Sequence, residues 1–133
     1  MGFEVLGGGF VDVDELAAQA AETGGAKILT AAVTVADGDA LLKLADRLKA
    51  KLGDAAIVLG RAGDGRVDLV ASVAPSLVGR GVKAGEIIKL AAAEVGGGGG
   101  GRDTMARAGG RDPERLDEAI SAAQRAIESA LAG

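Results

Sequence analysis

The residue types that carry most acid–base and nucleophilic chemistry are missing from this chain, which has no histidine, cysteine, tyrosine or tryptophan. Without imidazole there is no ordinary general base near neutral pH and no catalytic triad of the usual kind. Without thiols there is no disulfide, thiolate nucleophile or cysteine-type zinc site. Carboxylates remain, and Asp37, Asp39, Asp64 and Asp68 stand beside turn signals, but no group of them has ligand spacing, so they read as caps and surface charges. No catalytic residue, metal or cofactor is expected. The unusual stretch is Gly96 to Gly101, followed at once by Arg102, Asp103, Thr104 and Met105 and closed by Gly109-Gly110. A segment with no β-carbons lets a rigid partner approach the backbone, and successive free N–H groups can face a phosphate. The run satisfies G-x-G-x-x-G only trivially, and it follows a helical pattern where a dinucleotide fingerprint would follow a strand. The chemistry expected is binding: main-chain amides of Gly97, Gly98, Gly99, Gly100 and Gly101, with Arg102, Arg107, Lys83 and Arg80 as flanking cations.

Charge distribution supports that reading better than the total does. The net charge is −4, unhelpful for a nucleic-acid binder. From Gly79 to Arg111, however, six cations (Arg80, Lys83, Lys89, Arg102, Arg107, Arg111) face three anions (Glu86, Glu94, Asp103), a local excess of +3 on a body of −7. A basic patch on an acidic body steers anions to the patch. A solvated surface would show the same composition, so charge alone leaves both readings open. The first residues lack a basic start followed by an apolar run and a cleavage site, and no stretch approaches eighteen apolar residues, so a cytoplasmic protein without membrane contact is expected.

The elements that must position this segment follow from periodicity. At 133 residues and 48% hydrophobic composition the chain fits one domain with an aliphatic core. Val13 to Glu22 reads as a short helix ended by Gly24-Gly25, and Ala26 to Val35 as a strand buried on both faces. Ala40 to Leu52 repeats apolar residues at helical spacing after Asp37-Gly38-Asp39. Ala55 to Gly60 and Arg66 to Ala74 form a hairpin about Asp64-Gly65. A helix over 82–95 leads into the glycine run, read as a surface loop at 96–101, and Met105 to Ala108 as a short edge strand. Asp112-Pro113 provides a side-chain cap and a first-turn proline for a last helix, Pro113 to Leu131. The expected fold is α/β (α+β): a single domain with a mixed sheet covered by helices, in the order α-β-α-β-β-α-β-α. Residues 1–23 read as an N-terminal extension or short helix, in which Met1 to Val11, with Gly7-Gly8-Gly9, is either a short strand and turn or a remnant of an upstream helical region of a longer parent chain.

The segment from Val95 through the six glycines, Arg102-Asp103-Thr104-Met105-Ala106-Arg107-Ala108 and Gly109-Gly110, with the helix after Asp112, closely resembles the C-terminal domain of alanyl-tRNA synthetase, in the DHH-associated domain family. Val82-Lys83-Ala84-Gly85-Glu86-Ile87-Ile88 and the hairpin from Val58 to Val73 resemble it too, so the likeness covers 24–133. It implies a non-catalytic module that binds the outer corner of tRNA, tRNA-Ala in particular, and assists aminoacylation and editing centres elsewhere in a parent synthetase. Related domains of DHH phosphoesterases bind single-stranded nucleic acid. Many members carry Lys in place of Gly98, Pro in place of Asp103 and Gln in place of Arg107. The synthetase's catalytic and editing motifs, and the Asp-His-His motif, are absent from this chain. The other reading is a docking or homodimerisation module, since Leu116, Ile120, Ala123, Ile127 and Ala130 approximate a heptad seam; a core-facing helix gives the same spacing and is preferred.

Overall fold

In the computed structural model, which describes residues 3–5 and 10–132, the elements run β1 (Phe3–Val5), β2 (Phe10–Asp12), α1 (Val13–Ala18), β3 (Ala21–Thr23), β4 (Ala26–Ala32), α2 (Gly38–Leu52), β5 (Ala55–Gly63), β6 (Arg66–Val73), α3 (Pro75–Val78), α4 (Ala84–Glu94), β7 (Gly98–Gly101), β8 (Met105–Gly110), a 3-10 turn (Pro113–Arg115) and α5 (Leu116–Ala132). β1 and β2 pair with each other; the expected turn at Gly7-Gly8-Gly9 lies outside the described residues. The other six strands form one mixed sheet in the order β3-β4-β5-β6-β8-β7. Within that sheet only β4 and β5 are parallel, with Ile28 beside Ala56 and Thr30 beside Val58, and α2 makes the crossover between them. Its other neighbouring pairs are antiparallel.

Strand alternation divides the apolar residues into two cores, one on each face of the sheet. Ile28, Val58, Leu69, Ala71 and Ala106 pack with α4 and α5 through Ile88, Ala91, Ala119, Ala123 and Ile127. Leu29, Ile57, Leu59 and Val70 pack on the opposite face with Leu16 of α1 and Leu41, Leu44 and Leu48 of α2. The result is the expected mixed sheet covered by helices, with three layers. The stripe on α5 faces the domain's own core: Leu116, Ala123 and Ile127 are buried there, and Ile120 and Ala130 pack against it.

Local chemistry explains the element ends. The Asp37 carboxylate accepts from the Ala40 N–H at 2.8 Å and starts α2, while Gly53, at φ +71°, ends it. Asp64 and Gly65 both have positive φ, as a tight hairpin turn needs, and β5 runs on to Gly63, past the expected Gly60.

Three local expectations are corrected. The first helix stops at Ala18, and Ala21–Thr23 is instead an antiparallel edge strand on β4. Gly24 and Gly25, at φ +58° and +81°, are the two-residue hairpin turn between those strands, a conformation matched to strand twist, and not a helix stop. Asp112 makes no side-chain cap; its backbone N–H donates to the Val95 carbonyl at 3.1 Å, which holds it before the 3-10 turn.

The largest correction concerns the glycines. The loop expected at 96–101 is confined to Gly96 and Gly97, and Gly98–Gly101 form the outer strand of the sheet, paired with β8. β8 is longer than expected and is internal, between β6 and β7. A four-glycine strand has no propensity of its own; it forms because only a bare backbone fits so close to β8. A β-carbon on Gly97, Gly99 or Gly101 would come within 1.8, 2.3 or 2.5 Å of the carbonyl oxygens of Gly109, Arg107 or Met105.

Candidate nucleic-acid interface

The exposed edge of β7 is where the candidate residues converge, although not all of them reach it. At its end, the Arg102 N–H donates to the Met105 carbonyl at 2.7 Å, closing a tight connection into β8 with the Arg102 side chain in solvent. α4 packs over this end. Its first residue, Ala84, donates to the Asp103 carbonyl at 2.8 Å, and a β-carbon on Gly85 would sit 3.1 Å from the Gly101 oxygen. The Lys83 backbone, immediately before Ala84, is thereby held at the β7–β8 turn, while its side chain borders a groove between α4 and α5 with Glu86, Leu90, Ala126 and Ser129. Lys89, two turns further along α4, was not singled out from the sequence. Its Cε lies 3.6 Å from where a Gly100 β-carbon would be, so it flanks the middle of the strand. Nothing in the sequence marks it out, because its placement depends on α4 lying along the glycine strand.

The start of the run is fixed from the other side. Arg111 Nε donates to the Gly96 carbonyl at 3.3 Å, and its N–H donates to the Val95 carbonyl at 2.8 Å. Arg115 bonds both the carbonyl and the carboxylate of Glu94, each at 2.8 Å, tying the end of α4 to the start of the last helical segment. Arg111 and Arg115 therefore hold the ends of the loop that delivers the glycines to the sheet edge.

Arg107 and Arg80 are placed differently. Arg107 lies opposite Gly100 in the ladder, but Ala106 is in the α4-side core, so alternation sends Arg107 to the α2 side. There its Nη2 stands 3.7 Å from Asp39 Oδ1. Arg80 is not brought to the strand; its Nη2 lies 2.9 Å from the position of a Gly24 β-carbon, near the Leu131 carbonyl and the β3–β4 turn. The structure thus brings Gly98–Gly101, Lys89 and Arg102 together at one edge, holds the Lys83 backbone at the β7–β8 turn with its side chain toward the α4–α5 groove, puts Arg107 on the α2 side of β8, and leaves Arg80 apart.

On the α2 side, Arg107 borders a polar cleft of about 350 Å³ with Gly38, Asp39, Arg61, Asp64, Arg66 and Asp68. Its fixed point is Arg61, whose side chain is 9% exposed. Arg61 Nη1 donates to Asp68 Oδ2 at 2.7 Å and Nε to the Val35 carbonyl at 3.0 Å. Among the described residues no group of three or more carboxylates is arranged to hold a metal ion, and no helix is long and apolar enough to cross a membrane. The arrangement offers bare main chain and solvent-exposed cations, which suits recognition of a phosphate backbone by charge and shape.

A model of the DHHA1 domain matches residues 25–129, from the β3–β4 turn to the last turn of α5. The chain belongs to the DHHA1 domain family. This DHHA1 chain is 45% identical over 119 residues to an alanine–tRNA ligase of Pelotomaculum thermopropionicum, covering 90% of the chain and 14% of the relative. It is 46% identical over 110 residues to that of Bacillus pumilus, covering 83% and 12%. The chain therefore spans about one seventh of the length of the curated relatives it matches. Among solved structures, the C-Ala domain from Aquifex aeolicus alanyl-tRNA synthetase superposes with a TM-score of 0.73 at 22% identity, covering 83% of this chain and 98% of that one. The DHH domain of a protein assigned to a family of ribosomal proteins superposes with a TM-score of 0.59 at 15% identity, covering 87% and 29%. At these identities both show that the DHHA1 fold is shared.

Proposed function

We propose that this DHHA1 domain is the tRNA-binding accessory module of an alanyl-tRNA synthetase, with residues 24–133 as the binding unit. In this reading it has no catalysis of its own. It holds tRNA-Ala by the outer corner in the cytoplasm, so that aminoacylation and editing domains elsewhere in the longer protein act on one bound molecule. The observation that carries the reading is the bare β7 edge flanked by Lys89 and Arg102, with Arg107 on the neighbouring strand. Kinship with alanine–tRNA ligases supports the same partner.

With little aromatic surface for stacking bases, affinity comes from phosphate contacts and shape, with weak reading of sequence. Titration of a tRNA-Ala transcript at several salt concentrations tests this. Arg102→Ala combined with Arg107→Ala should weaken binding and lower the log–log salt slope by roughly 1 to 2. An unchanged slope would favour the docking reading, although α5 turns the stripe that reading needs into the domain's own core.

A further inference from the structure

We propose that the cleft at the start of α2 is a ribonucleotide subsite: Arg66 and Arg107 hold a phosphate while Asp39 accepts a hydrogen bond from the neighbouring ribose 2′-hydroxyl, giving the domain a preference for RNA over DNA. The proposal rests on the nucleic-acid reading above and deepens it.

The cleft contains charges of two kinds. Some are already satisfied: Asp68 by Arg61 at 2.7 Å, and Asp37 by the Ala40 amide at 2.8 Å. Others are in loose contact only. Arg66 Nη2 is 3.8 Å from Asp68 Oδ1, and Arg107 Nη2 is 3.7 Å from Asp39 Oδ1, both beyond hydrogen-bonding distance. The side chains of Arg66, Arg107 and Asp39 are 67%, 50% and 84% exposed, so each can turn to a ligand without breaking a buried contact.

Their mixture of signs selects the ligand. A free phosphate would be repelled by Asp39 and Asp64, and a bare cation by two guanidinium groups. A ribose phosphate presents an anion and a hydroxyl donor side by side, which matches two arginines next to a carboxylate. The 2′-hydroxyl is also the group that lets a protein distinguish RNA from DNA. The volume of about 350 Å³ falls at the lower end of the range for small-ligand sites, ~300–1,000 Å³. Gly38 keeps the floor open, since a β-carbon there would lie 3.1 Å from Arg107 Nη2 and 3.5 Å from Asp68. Arg107 is also the ladder partner of Gly100, so the cleft begins one strand in from the bare edge.

The test is fluorescence anisotropy with RNA and DNA single strands of identical sequence. The wild-type domain should bind RNA about tenfold more tightly, the worth of one hydrogen bond to a charged group. Asp39→Ala should bring the ratio to within about twofold, while DNA affinity holds or rises because a negative charge has gone. Asp39→Asn, which keeps an acceptor, should retain part of the preference, and Arg66→Ala should weaken both ligands together. Equal wild-type affinities, or a ratio unchanged in Asp39→Ala, would overturn the subsite while leaving nucleic-acid binding intact. Failure to bind either strand would overturn the subsite, and loss of tRNA-Ala binding as well would bring down the nucleic-acid reading with it.

Discussion

Arg61 faces Asp68 directly across the β5–β6 ladder, and the same guanidinium that meets the carboxylate at 2.7 Å also reaches the Val35 carbonyl at 3.0 Å. One nearly buried side chain therefore ties the hairpin to the segment that enters α2. Removing it leaves Asp68 with only the long Arg66 contact. Arg61→Met is expected to cost about 3 kcal/mol in urea unfolding, with much of the loss recovered when Asp68 is also made apolar. A cost below about 1 kcal/mol would show that the pair does not anchor the α2 entrance.

The glycines of β7 are not equivalent, and neighbouring positions should respond in opposite ways. A β-carbon added at Gly98 would have nothing within 4 Å, and the residue has no positive φ, whereas at Gly99 that atom would meet the Arg107 oxygen at 2.3 Å. Gly98→Lys should leave the melting temperature nearly unchanged and tighten tRNA binding at low salt. Gly99→Ala should cost roughly 1–3 kcal/mol, because the strand must move away from β8. Similar losses from both would mean that the strand tolerates no side chain anywhere.

Gly100→Val separates obstruction of a partner from damage to the fold. Its β-carbon would meet only the flexible Lys89 chain, at 3.6 Å. Binding should therefore fall more than stability does. Equal losses, measured by titration and thermal unfolding on the same preparation, would place the contact elsewhere.

Lys51 of α2 hydrogen-bonds Asp14 of α1 and holds that carboxyl below its ordinary value of 3.8. A carboxylate depressed on folding contributes stability above its unfolded pKa, and that contribution is lost as pH falls through the folded value. Carboxyl NMR should place the Asp14 midpoint below 3.8, and Lys51→Met should return it there. Both groups are solvent-exposed, so overall stability should hardly change. An unchanged midpoint in the variant would remove Lys51 as the cause.

Much of this architecture is legible wherever local chemistry agrees with the fold. α2 announces itself through Asp37, its apolar stripe and Gly53, and the β5–β6 hairpin through Asp64-Gly65. β7 does not, because glycine carries no strand preference and the strand is imposed by its fit to β8, a relation between distant backbones. Gly24-Gly25 is ambiguous for a similar reason: positive φ serves a helix end and a hairpin turn alike. Arg102 stands at the end of the glycine strand because it follows Gly101 directly, while the side chosen by Arg107 depends on which face of β8 meets α4. Arg61 and Asp68 are seven residues apart and look like ordinary hairpin charges until the register puts them opposite each other.

The glycine strand also sets how firmly this edge is held. Ordering glycine forfeits more chain entropy than ordering any other residue, and Gly98–Gly101 have no side chains to bury in return. β7 should therefore open locally well before β5 and β6, the strands at the centre of the sheet. A polynucleotide laid along it would have to immobilise the strand as well as neutralise charge, so tightening of the complex and slower amide exchange at these four positions would rise together.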